Sequence, residues 1–219
     1  LAKEEVPGMK LLTFESVDNR GIMFPYVEPY VDSETGLQIG NAVTSDVAIR
    51  KAINIAIDRE KLVTDVLEGF GTPAYSIADQ LPWWNEETVI EDGDLEKAEK
   101  ILHEAGWTKN DKNIFEKDGM EASFTLVYPA SDQTRQSLAI VISQMLKEFG
   151  IDVKPEGKSW SEIPEIMHST PILFGWGSHD PIEMYYIYHS KHKGIDYFNA
   201  NYYENKQVDY YIDQAINAL

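Results

Sequence analysis

The chain has 219 residues, 43% of them hydrophobic and 26% charged, a formal net charge of −18 and no cysteine. That length buries a substantial core and fits one large domain or two small ones. The acidic balance excludes nucleic acid and anionic lipid as partners, and the missing thiols exclude disulfides, thiolate zinc sites and cysteine nucleophiles.

The first forty residues read as strands and turns: "KLLTFES", "GIMFPYVEPYV" and a turn at Gly36. "LAKEEVPGMK" lacks the apolar core of a signal peptide, and no run reaches the roughly 18 apolar residues of a membrane span. Ser45 and Asp46 offer an N-cap to a helix whose Ile49, Ala52, Ile53 and Ala56 share a face. Asp58 caps a second segment, with Leu62, Val63, Val66 and Leu67 inward and Gly69 as its stop. Residues 70–93 form a long loop of the kind that is often functional, with Trp83 and Trp84 either folded over a cleft or, the preferred reading, anchoring the loop.

Asp94 caps "LEKAEKILHEAGW", with Leu95, Ala98, Leu102 and Ala105 on one face and Gly106 ending it. "KNDKNIFEKDGM" reads as a polar turn region and "EASFTLVYP" alternates as a strand does. "QTRQSLAIVISQMLKEFG" is a helix with Leu138, Val141, Ile142, Met145 and Phe149 in one stripe, and "IDVKPEG" is the next strand. Strand, helix and strand at that spacing make a βαβ unit with parallel strands and a right-handed crossover. "SWSEIPEIMHS" is a short helix capped by Ser159 or Ser161, and "TPILFGWG" is a strand buried on both faces. The last helix carries Val208, Tyr211, Ile212, Ala215, Ile216 and Leu219 in a stripe and shows no stop signal, so a cut boundary rather than a natural end is expected there. The fold class is α/β.

The stretch "GWGSHDP" carries the most chemistry. It sits just past the carboxyl end of a buried strand, where open α/β sheets bind ligands. Ser178, His179 and Asp180 are adjacent, which is the wrong geometry for a catalytic triad, and no G-x-S-x-G elbow is present. Asp180 as N-cap and Pro181 at the first helical position account for part of it. His189 and His192 are three apart and can share a helical face, but two ligands do not close a metal site. Phosphate-binding loops are absent. The aromatic runs "MYYIYHS" and "YFNANYYENKQVDYY" suit core and cleft lining.

Five blocks in order, "VAIRKAINIAIDREKLVTDVLEGFGTPA", "DLEKAEKILHEAGW", "SLAIVISQMLKEFGIDVKPEG", "LFGWGSHDP" and "YYENKQVDYYIDQA", resemble family 5 solute-binding proteins of ABC importers, the dipeptide, oligopeptide and nickel-complex group. The resemblance runs from about Lys10 to the end and implies a two-lobed protein that traps its ligand between the lobes. Residues 1–219 then form the second lobe alone, a single continuous, monomeric unit of the type II periplasmic-binding-protein class with a mixed, mostly parallel sheet flanked by helices. It implies no enzyme activity, no cofactor and no resident metal. It also implies an ABC permease as membrane partner, and a periplasmic or lipid-anchored place outside the cell membrane. A hydrolase using His179 with a distant serine and carboxylate is the alternative.

In the family's peptide binders an aspartate three residues after this tryptophan pairs with the peptide amino terminus. Here that position is His179, and Asp180-Pro181 matches a later, structural Asp-Pro pair. The shorter loop looks closer to the nickel-type members, although Asp180 can also swing to meet an amine. The expected ligand contacts are Trp176 as cleft wall, Ser178, His179 and Asp180 at the rim, Tyr128 at the neighbouring strand end, and Arg135 as a bidentate partner for a ligand carboxylate or else a solvated first-turn arginine. Gly175 and Gly177 are expected to let the backbone approach the ligand.

Overall fold

The computed structural model describes residues 8–218. The expectations for the first residues of the chain and for Leu219 in the last stripe therefore lie outside the described part. In chain order the elements are β1 (Gly21–Met23), β2 (Tyr30–Val31), β3 (Gln38–Ile39), α1 (Val47–Ala56), α2 (Arg59–Asp65) and α3 (Leu95–Glu104). Next come β4 (Thr108–Lys109), β5 (Phe115–Lys117), β6 (Met120–Glu121), β7 (Ser123–Pro129), α4 (Gln133–Phe149) and β8 (Asp152–Lys158). The chain closes with α5 (Ile163–Ile166), β9 (Ile172–Phe174), α6 (Ile182–Tyr188) and α7 (Lys206–Ile216), with single 3-10 turns at Glu86–Thr88 and Ser190–His192.

The main sheet has the order β1-β9-β7-β8. β7 pairs in parallel with both β8 and β9, and β1 lies antiparallel on β9, with Gly21 opposite Phe174. The β7–α4–β8 unit is the expected βαβ, and Gly150 at φ 119° stops α4. Alternation along the strands builds two cores. Phe124, Leu126 and Tyr128 of β7 and Leu173 of β9 pack with α1, α3 and α4 on one face, while Val127, Ile172 and Phe174 pack with Ile163 and Met167 on the other. β9 is therefore covered on both sides, as its unbroken apolar run requires.

Asp46 caps α1 by accepting from the Ala48 N–H (2.8 Å), and its second oxygen accepts from Trp107 Nε1 (2.9 Å) and Lys117 Nζ (3.0 Å). Burial works against that carboxylate, but those donors outweigh it and hold its pKa below the ordinary value. Trp107 and Phe115 are fully buried, so residues 108–121 are a three-stranded meander packed on the core rather than the expected polar turn region.

Two other elements differ from expectation. Residues 9–16 form no strand. Neither Ser159 nor Ser161 caps α5; instead the Glu162 carboxylate reaches back to accept from the Ser159 N–H (2.9 Å) and Oγ (2.6 Å). The stripe on α7 is half-buried only at Val208 and Ile212, with Tyr211 60% and Ile216 37% exposed. Trp84 anchors the long loop through Nε1 to Thr88 Oγ1 (3.0 Å), while Trp83 stays at the surface.

Candidate functional site

β7, β8 and β9 are parallel, so their carboxyl ends share one edge of the sheet, the usual ligand edge of an open α/β fold. Five segments converge there: the loop after β9, the first turn of α4, Ser159–Trp160 after β8, residues 18–20 before β1, and residues 197–198.

The loop after β9 is tied down by its own helix. The Glu183 carboxylate accepts from the N–H groups of Gly177 and Ser178 (3.2 Å each), Ser178 Oγ accepts from the Asp180 N–H (3.0 Å), and the Asp180 carboxylate accepts from the Ile182 N–H (2.9 Å). Asp180 thus caps the turn as expected, but the helix opens one residue later, at Ile182, with Pro181 in the cap position. Ser178 and Asp180 are spent on turn hydrogen bonds, and His179 is exposed. The three side chains form a rim, not a proton relay.

Trp176 stands between Phe174 (ring centroids 6.1 Å apart) and Phe198 (6.3 Å, stacked), and its Nε1 is buried without a partner. The wall continues through Phe174 to Trp160 (6.2 Å, stacked), and Tyr197 packs edge-on against Trp160 (5.5 Å). Tyr128 is buried with its ring over Gly157, where an added Cβ would lie 3.2 Å from it, so it floors the edge rather than reaching far into it.

Arg135 lies in the first turn of α4 with its side chain 11% exposed, so it is not a solvated arginine. Its guanidinium pairs with Asp132, the cap of α4, and sits 6.0 Å from the Trp160 ring. Burial raises the pKa of Asp132, but the hydrogen bonds and charge of Arg135, with Arg20 behind it, keep the carboxyl below its ordinary value. Arg20 reaches this edge from before β1, donating through Nη1 to Asp18 (2.6 Å) and to the Asn19 carbonyl (2.8 Å).

Gly175 and Gly177 serve a different neighbour from the one expected. A Cβ on Gly175 would stand 2.1 Å from the Asn19 carbonyl oxygen, and one on Gly177 2.8 Å from the Asp18 Cα. The glycines admit residues 18–20, which the Asn19 N–H fixes to the Trp176 carbonyl (2.8 Å).

Behind the edge, His192 sits among Tyr185 (4.5 Å), Tyr186 (5.0 Å) and Phe198 (5.9 Å). Both its ring nitrogens are buried without a partner, and burial, then the neighbouring His189 and Lys191, lowers its pKa. His189 does not join it in a metal site; it is turned toward α7, with Nε2 3.3 Å from Asp213. Among the described residues no group of three or more candidate ligands gathers as a metal would require.

Trp176, Ser178, His179 and Asp180 therefore share one loop, with Tyr128 and Arg135 at the neighbouring strand end. Sequence reasoning missed Arg20, Trp160 and Phe198. Trp160 had a signal, a tryptophan two residues past a parallel strand; Arg20 had none, because its place depends on β1 pairing with a strand about 150 residues away.

The model of bacterial extracellular solute-binding proteins, family 5 Middle, matches residues 14–198. The chain is 36% identical over 95% of its length to Protein XP55 of Streptomyces lividans and 32% identical over 93% to the oligopeptide-binding protein AppA of Bacillus subtilis. It spans 38% and 39% of the length of those two proteins. Among solved structures it is similar to NikZ from Campylobacter jejuni in complex with Ni(L-His), with a TM-score of 0.77 and 28% identity over 93% of this chain and 39% of that one. The fold is that of a type II periplasmic binding protein, and the relatives are solute-binding proteins, not enzymes.

Proposed function

Because the chain belongs to the family 5 bacterial extracellular solute-binding proteins, we propose that it is one ligand-binding lobe of an ABC importer's capture protein. It acts outside the membrane, periplasmic or lipid-anchored, and delivers a small solute to an ABC permease. Residues 1–219 make a single continuous, monomeric lobe, and a second lobe completes the cleft. The observation that carries this reading is the strand-end edge itself, an aromatic wall of Trp160, Phe174 and Trp176 bordered by Arg135, Tyr128, Ser178, His179 and Asp180. Aromatic walls with a few fixed polar groups are what small-molecule clefts need. Nothing in the Ser178–His179–Asp180 turn supports a hydrolase.

Two ligand classes fit. The Bacillus AppA structure holds a nonapeptide and the Campylobacter NikZ structure holds Ni(L-His). We favour a metal chelate, because His179 stands where a peptide binder would carry the aspartate for the amino terminus, and Asp180 is held by the Ile182 N–H. A thermal-shift screen of the two-lobe protein tests this with di- to hexapeptides against nickel, cobalt and zinc, each with and without histidine. Saturation near a hundredfold above Kd adds about 2.7 kcal/mol, which raises the Tm of a protein of the relatives' length by roughly 2 °C. The expected shift needs metal and histidine together. A shift with peptides alone rejects the chelate and makes His179 or Asp180 the amine contact.

A further inference from the structure

A row of rings runs inward from the cleft wall. Trp176 stacks on Phe198 (centroids 6.3 Å apart, planes at 24°), and Phe198 stacks on Tyr186 (4.9 Å, 28°). His192 closes the row, set edge-on to Tyr186 (5.0 Å), Tyr185 (4.5 Å) and Phe198 (5.9 Å). It thus wedges between α6 and the segment that carries Phe198. Both its ring nitrogens are buried, and neither has a hydrogen-bond partner. An imidazole always keeps at least one N–H. In this cage the neutral ring leaves one donor and one acceptor unmet, whereas the protonated ring leaves two donors and a charge. The residue is only half-buried overall, so water lies a short swing away.

The groups that face His192 give a cation no counterion. α6 presents Tyr185 and Tyr186, and the following segment presents Phe198. His189 and Lys191, in its own turn, both oppose a positive charge there. The carboxylates of α7 are turned to His189 instead: Asp213 lies 3.3 Å from its Nε2, and Asp209 lies 3.6 Å from its Nδ1, which accepts from the Lys191 N–H (3.1 Å). Lys193 points away and pairs with Glu204. Burial first, then His189 and Lys191, holds the His192 pKa below 6.5.

We propose that His192 is a positioning residue that makes the cleft wall sensitive to pH: the neutral ring wedges Tyr186 and Phe198 into the stack on Trp176, and the protonated ring swings out to water and releases it. This rests on reading Trp176 as a wall of the ligand site. The neutral form is the one the cage accepts, so the wall is intact at pH 7.5 and loosens as the pH falls below 6.5, through the folded value. A capture protein outside the membrane meets the external pH directly, so the solute is held at neutral pH and let go in acid.

The chain has five histidines and five tryptophans, so its spectra hold five imidazole and five indole signals to follow from pH 7.5 to pH 4.5. Trp107 is the internal reference, fully buried with Nε1 on Asp46 (2.9 Å), a carboxylate that stays ionised across that range. The Trp176 indole is expected to move with the midpoint of the His192 ring, below 6.5, while Trp107 stays still. His192→Phe fills the cage without a titrating group and is expected to abolish that movement; His192→Gln serves if the first variant does not fold. A Trp176 signal that ignores the His192 midpoint, or that still moves in the variant, overturns the proposal. So does a His192 midpoint at or above 6.5, which would mean that the surrounding rings hold the cation. In the two-lobe protein, affinities for nickel–histidine and for trialanine are then compared between wild type and His192→Phe at each pH, which cancels the titration of the probe itself. The two proteins are expected to bind equally at pH 7.5, and the variant at least threefold more tightly at pH 5. An equal ratio at both pH values overturns the gating. If neither probe binds at pH 7.5, the capture reading falls, and the spectra alone decide the stack.

Discussion

Gly175 is fixed by its neighbour rather than by its own backbone. Its φ is not in the left-handed region, yet a Cβ there would overlap the Asn19 carbonyl at 2.1 Å, and backbone cannot step aside as a long side chain can. Gly175→Ala is therefore expected to destabilise by about 2–3 kcal/mol, the upper range for overpacking. Gly21→Ala, with nothing within 4 Å of its Cβ, is the control and is expected to stay within about 0.5 kcal/mol. Urea denaturation of the two variants checks this, and loss of the Asn19–Trp176 amide protection in Gly175→Ala locates the damage. The pattern G-W-G told the sequence reader that something approaches closely. It was silent on what, because the approaching chain lies about 150 residues earlier, and a ligand and a strand make the same demand for a missing Cβ.

At the scale of single elements, a helix with an apolar stripe is a statement about opportunity. α7 presents Tyr210, Tyr211 and Ile216 to solvent, and only its Val208–Asp209 and Ile212–Asp213 side is half-buried. That side docks through polar groups: Asp209 accepts from the Ser190 N–H (2.9 Å) and Oγ (2.6 Å). Replacing Tyr211 and Ile216 together with serine is expected to change the stability of this chain by less than about 0.5 kcal/mol, whereas Ile142→Ala in the core of α4 costs about 2–4. Matched thermal melts decide it; a large loss in the double variant would mean that the stripe is covered. Periodicity located α1, α3, α4 and the β7–α4–β8 unit because caps, stripes and stops all agreed there. It located α7 too, whose stripe stays largely exposed because period reports amphipathicity and not the existence of a partner surface. It failed on residues 108–121 because a meander of two- and three-residue strands is too short to show alternation, leaving only the scattered Ile114, Phe115 and Met120 after Trp107 as apolar clues.

For the molecule as a whole, His168 is a junction. It is 1% exposed, its Nδ1–H donates to the Ala200 carbonyl (2.9 Å), its ring meets Tyr202 (5.2 Å), and its own carbonyl accepts from the Gly40 N–H (2.8 Å). It thereby joins the segment after α5, the chain before α7 and the end of β3. Burial lowers its pKa below the ordinary 6.5. A depressed value means that the neutral form is the one the fold accepts. The stability it confers is complete above pH 6.5 and is lost as the pH falls toward the folded value. Urea midpoints measured from pH 7 to pH 5 are expected to fall, with His192 contributing in the same direction. His168→Gln, which can still donate to Ala200 but cannot take up a proton, is expected to flatten that limb; an unchanged slope would remove His168 as a cause.

The pairing of β1 with β9 also sets an order of events in time. Gly21 meets Phe174 only after about 150 further residues exist, whereas β7, α4 and β8 are contiguous. At roughly 5–20 residues per second of synthesis, the first strand waits on the order of ten to thirty seconds for its partner, long after helices and hairpins can form. A waiting strand is a hazard in proportion to its length, and this one has three residues. In refolding, the sheet is expected to grow outward from the β7–β8 pair and to be sealed last by its earliest-made strand, with the strand-end edge completed at the same moment, since residues 18–20 arrive with it.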